Sequence, residues 1–86
     1  MDKYAETKEI LSNMAAVKMD MNSHKGSIEK VNVVTLIDLL KLEVTELDKA
    51  ISIDKGIINI LEEAADVMNY LVAITDQQIL KYRNRK

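Results

Sequence analysis

An all-α fold, a helical bundle with antiparallel helices completed by oligomerisation, is what this 86-residue sequence predicts, and three observations carry that prediction. Hydrophobic residues make up 48% of the chain but only three are aromatic (Tyr4, Tyr70 and Tyr82), so the core has to be built from Ile, Leu, Val, Met and Ala. There is no proline and there are two glycines, Gly26 and Gly56, which leaves long stretches uninterrupted. The apolar residues recur at the spacing of a helix with a buried face. A chain of this length makes one domain, residues 1–86, and on its own covers a modest fraction of its surface.

The first helix is expected from about Lys3 to Met21, with Ile10, Leu11, Met14, Val17 and Met21 forming its apolar stripe and Lys18 bordering it. The polar segment Asn22 to Asn32 contains Gly26 and reads as a loop. Thr35 is the expected N-cap of a second helix, with Asp38 three residues on, and Leu36, Ile37, Leu39, Leu40, Val44, Leu47 and Ile51 follow at helical spacing as far as about Ile53. Asp54-Lys55-Gly56 is turn chemistry, and so short a connection makes the second and third helices antiparallel neighbours. The third helix starts near Ile57 and continues past Gln78. Its first half is apolar almost all the way round, as expected of a helix covered on several sides, and in a chain this small that requires a second copy. No internal repeat or second domain is evident.

Composition narrows the possible roles. The absence of cysteine removes disulfides and thiolate metal sites. The N-terminal M-D-K-Y-A-E-T-K-E lacks the apolar stretch of a signal peptide and no run is long enough to span a bilayer, so a cytoplasmic protein without a membrane partner is expected. A net charge of -2 provides no general attraction to DNA, and the four cations in K-Y-R-N-R-K at residues 81–86 complement a helix dipole without forming a nucleic-acid footprint.

The most informative residues are acidic. Glu43 with Glu46, and Glu63 with Asp66, are two i, i+3 pairs, each placing two carboxylates on one helix face. Such pairs are common on solvated helices; their matched placement is what sets these apart. Glu46 lies eight residues before Asp54 and Glu63 seven after Gly56, so a helical hairpin brings the pairs to similar heights. Four converging carboxylates require a cation or partial protonation. An all-oxygen set suits Mg²⁺ or Mn²⁺ and points to phosphate chemistry. Glu62, turned about 100° from Glu63, reads as a surface residue or a backup ligand. The one histidine, His24, has no Glu-x-x-His partner, which excludes a ferritin-like di-iron centre.

The motifs Glu43-Val44-Thr45-Glu46 and Glu63-Ala64-Ala65-Asp66 resemble the signature of the MazG-like all-α nucleoside triphosphate pyrophosphohydrolases, E-x-x-E followed by E-x-x-D on adjacent helices. Leu47, Ala50, the small pair before Asp66-Val67, A-A-D-V-x-N-Y and N-S-H-K-G extend the resemblance over about Lys18 to Asp76, toward the short members found in phages and bacteria. Ser27 and Ile28 stand where those members commonly carry Gly-Trp. The resemblance implies Mg²⁺-dependent conversion of a (d)NTP to a (d)NMP and pyrophosphate by a homodimer or homotetramer. It also makes Lys81 and Arg85 candidate triphosphate contacts.

Around the acids, Asn69 lies one turn beyond Asp66 and is placed to hydrogen-bond a base or sugar, Tyr70 to stack on a base, and His24 and Lys25 to reach phosphates from the loop. Glu43, Glu46, Glu63 and Asp66 are the expected metal ligands, with Glu46 the expected proton acceptor for the attacking water. The competing expectation is a non-catalytic helical dimerisation or regulatory module with a degenerate MazG-like fold.

Overall fold

The computed structural model describes residues 2–21 and 28–84, and within them the chain is all-helical. Three helices, α1 (Ala5–Met21), α2 (Val33–Ser52) and α3 (Ile57–Arg83), are accompanied by a single 3₁₀ turn, Ile28–Lys30, ahead of α2. The longest helix, α3, is the centre of the arrangement: α1 and α2 both pack on it and not on each other.

Helix α1 begins at Ala5 rather than Lys3 because Asp2 organises the preceding turn. Its carboxylate accepts the Tyr4 N–H at 2.8 Å and pairs with the Lys8 ammonium at 2.5 Å. The side of α1 that meets α3 matches the expected stripe only in part, at Leu11 and Met14. Ala15 is the buried residue, flanked by half-buried Leu11, Met14, Lys18 and Met19, whereas Ile10, Val17 and Met21 are exposed.

Helix α2 starts two residues before Thr35. Asn32 is its N-cap, with extended backbone and a side-chain oxygen that accepts the Thr35 N–H at 2.9 Å. Its C-terminus is a Schellman motif: Lys55 N–H donates to the Ala50 carbonyl at 3.0 Å and Asp54 N–H to the Ile51 carbonyl at 3.2 Å. Asp54 occupies the left-handed position of this motif (φ 49°), and Gly56 takes φ 90° before entering α3. Both are therefore turn residues in the strict conformational sense.

Four residues are buried apolar core among those described: Ala15, Leu36, Ala50 and Ala65, three of them alanine. Small side chains let the helix backbones approach closely, but they remove little apolar area from water. Helix α3, expected to be covered on several sides, leaves Ile57, Ile58, Leu71, Val72, Ile79 and Leu80 exposed. The chain spans 46 × 34 × 22 Å with a radius of gyration of 14.2 Å, against about 12 Å for a compact domain of this length. No helix among the described residues is long and apolar enough to cross a membrane.

Candidate metal centre

The connection between α2 and α3 brings three of the four expected ligands together. Oxygens of Glu43 on α2 and of Glu63 and Asp66 on α3 all lie within 4.8 Å of one another, each residue half-buried. Glu46 is exposed and stands outside this group of three, although its charge reaches Glu43. Buried Ala65 lies beside Asp66 in sequence, so the backbone of α3 is closely packed where its carboxylates gather.

The electrostatics of the cluster bear most heavily on Glu43. The Glu43 carboxyl is pushed up from 4.5 to about 7, first by loss of solvent, then by the Asp66 and Glu63 charges, a hydrogen bond shared with Glu63, and last the Glu46 charge. The shift favours the protonated form of Glu43 in the metal-free protein well above the usual carboxylate range. Tyr70 lies against the same group: burial, and then the Glu43 and Asp66 charges, raise its phenol.

One residue that sequence reasoning left at the margin of a helix stripe turns out to face the acids. The Lys18 ammonium lies 3.7 Å from Glu62 Oε2 and 3.7 Å from Asp66 Oδ2, with its side chain only 17% exposed. Periodicity could not find it, because a lysine on an amphipathic helix reads as solvated unless the facing helix is known. Glu62, turned away from Glu63 on the helical wheel, thereby has a cationic neighbour from α1.

Asn69 projects toward α1: its amide Nδ2 donates to the carbonyl of Ala15 at 2.9 Å, a partly buried bond between helices. Gln77, two turns further along α3, does the same for the backbone before α2, donating to the Val31 carbonyl at 2.6 Å. Lys81 is exposed and lies about 22 Å along α3 from Asp66, farther than a lysine side chain spans. His24, Lys25 and Arg85 lie outside the described residues. A surface depression lined by Thr75, Gln78, Ile79, Tyr82 and Arg83 has its described lining on α3 alone and includes none of the acids.

The donor set fits a hard divalent cation. Oxygens around octahedral Mg²⁺ are about 3.0 to 4.2 Å apart at a bond length of about 2.1 Å. The Glu43, Glu63 and Asp66 oxygens, within 4.8 Å of one another, could hold one such ion if their side chains drew closer. No protein-family model, curated protein or solved structure matches the chain.

Proposed function

We propose that the chain is a Mg²⁺-dependent nucleoside triphosphate pyrophosphohydrolase that cleaves between the α- and β-phosphates of a (d)NTP. The observation that carries this reading is the convergence of Glu43, Glu63 and Asp66 oxygens from two helices, where burial first and then the neighbouring carboxylates push the Glu43 carboxyl up to about 7. A carboxylate set that carries a proton in place of a cation is suited to exchange one for the other. The two motifs that resemble the MazG-like signature contain all three residues.

Bound Mg²⁺ supplies charge neutralisation, polarisation of the α-phosphorus and acidification of a coordinated water. Glu43, Glu63 and Asp66 hold it, and Glu46, exposed one turn along α2 from Glu43, accepts the proton from the attacking water. The water oxygen bonds to the α-phosphorus as the bond from that phosphorus to the α,β-bridging oxygen breaks. Pyrophosphate leaves with the bridging oxygen, and the nucleoside monophosphate retains the water oxygen. Tyr70, whose phenol feels the Glu43 and Asp66 charges, is the aromatic side chain offered to stack on the base.

Assembly is part of the proposal. Helices α2 and α3 run antiparallel, and the exposed apolar residues of α2 and α3 pair with a second copy. The chain exposes 6618 Å², which exceeds by about 1400 Å² the surface expected of a compact 9.8 kDa monomer. Covering that excess on each of two subunits falls in the range of obligate homodimers. A non-catalytic dimerisation module shares this surface, and the acids distinguish the two.

The deciding experiment is pyrophosphate release from a panel of NTPs and dNTPs with and without Mg²⁺. The expected result is Mg²⁺-dependent release from at least one nucleotide, abolished by Glu43→Gln or Asp66→Asn with helicity retained. Silence across the panel, together with unchanged Mn²⁺ binding in Asp66→Asn, leaves the dimerisation module as the function.

A further inference from the structure

Lys18 is the one cation placed against the acidic face from a different helix among the described residues, and the metal reading alone assigns it no task. Its ammonium sits between Glu62 and Asp66 at 3.7 Å from each, looser than a hydrogen-bonded ion pair, while 83% of the side chain is covered. Covering a lysine stem is inexpensive, but holding its charged end in a partly desolvated position requires compensation. In the metal-free protein Glu62 and Asp66 provide it.

Occupation of the carboxylate cluster changes that balance. Asp66 belongs both to the group of three carboxylates and to the Lys18 pair. A cation taken up by Glu43, Glu63 and Asp66 draws on the Asp66 charge that now attracts Lys18, leaves Glu62 as the remaining attraction on its ammonium, and sets two positive centres on either side of Asp66. Adjacent cations at low exposure are stabilised by an anion that touches both, and a polyphosphate presents oxygens on successive phosphorus atoms at the required spacing.

Resting on the pyrophosphohydrolase reading, we propose that Lys18 is a substrate-binding residue that contacts the polyphosphate beside the metal, so that α1 contributes the phosphate clamp and α2 and α3 the carboxylates. The juxtaposition explains why an otherwise apolar contact face of α1 carries a lysine at this position. It also places phosphate recognition next to the acids, where Lys81 does not reach within one chain.

The test uses the full chain and two titrations followed by calorimetry: Mn²⁺ alone, then inorganic tripolyphosphate at saturating Mn²⁺. Lys18→Met is expected to bind Mn²⁺ at least as tightly as the unsubstituted protein and tripolyphosphate about tenfold more weakly, with Lys18→Arg restoring most of the loss. A purely structural ion pair would alter thermal stability and leave the tripolyphosphate step unchanged, and that result overturns the proposal. Glu62→Gln provides a measurement independent of any folding defect at Lys18. It removes a carboxylate that competes for the ammonium, so tripolyphosphate binds more tightly; equal or weaker binding counts against the clamp. Asp66→Asn separates the two readings. Loss of Mn²⁺ binding there, with normal tripolyphosphate binding by Lys18→Met, sinks the clamp alone, whereas undiminished Mn²⁺ binding sinks the metal reading and the clamp with it.

Discussion

At the scale of single residues, Glu43 is the most consequential side chain because its environment works against its charge. Burial and the Asp66 and Glu63 carboxylates raise its pKa from 4.5 to about 7. In the metal-free folded chain it therefore binds a proton that the unfolded chain releases over that interval. Its contribution to stability is fully present below about pH 4.5 and is lost as pH rises through about 7. With a chelator present, the Tm should rise as pH is lowered from 7.5 to 5.5, and Glu43→Gln should flatten this dependence while raising Tm at the upper pH. Mg²⁺ should restore the unsubstituted protein at pH 7.5 by replacing the proton. An equal pH slope in the two proteins would place the titrating group elsewhere. Asn69 invites a different expectation. With its amide committed to the Ala15 carbonyl, Asn69→Ala should lower stability by about 0.5–1.5 kcal/mol through lost docking of α1. Thermal melting checks this, and a variant with unchanged Tm but a broadened nucleotide profile would return Asn69 to the base pocket.

At the scale of elements, the boundaries of α2 and the entry to α3 depend on local chemistry that can be tested residue by residue. Asn32→Ala removes the side-chain acceptor for Thr35 N–H and should cost about 0.5–2 kcal/mol. The two turn residues should respond in opposite senses. Gly56 has φ 90° and ψ 160°, a region that is nearly exclusive to glycine, and a methyl there would meet no atom within 4 Å. Gly56→Ala should therefore cost about 1–3 kcal/mol from backbone strain alone. Asp54, at φ 49°, already bears the penalty of a left-handed residue, so Asp54→Gly should be neutral or slightly stabilising as relief of strain offsets glycine's entropy. Urea unfolding of the two variants decides it; comparable losses would mean that the Asp54 side chain, rather than its backbone, holds the turn.

At the scale of the whole molecule, the balance of buried and exposed apolar surface is what demands explanation. Exposed apolar residues run along α2 (Ile37, Val44, Ile51) and along α3 (Leu71, Val72, Ile79). These exposed apolar residues are the basis on which assembly is proposed. The expected outcome is that light scattering finds a dimer or a larger even-numbered assembly at micromolar concentration, with Tm increasing with protein concentration. Val72→Glu and Ile79→Glu together should produce a monomer of much lower stability. A folded monomer with concentration-independent Tm would show that the thin core suffices.

Helical content and the turn at Asp54-Lys55-Gly56 were legible in the sequence because each is a short-range property, periodicity in the one case and conformational preference in the other. The start of α2 was misplaced from Asn32 to Thr35, since both are good capping residues and the hydrogen bond that selects one is a matter of three-dimensional geometry. The seating of α1 was decided by tertiary structure alone. The stripe expected from periodicity was Ile10, Leu11, Met14, Val17 and Met21, of which Leu11 and Met14 lie half-buried on the side with Ala15, where a small residue permits close approach and Lys18 meets Glu62 and Asp66, while Ile10, Val17 and Met21 stay exposed. Likewise, spacing could place Glu46 and Asn69 on the acidic side. Packing left Glu46 exposed and turned Asn69 to the α1 backbone, because the angle between helices, which no single-helix period encodes, determines which side chains converge.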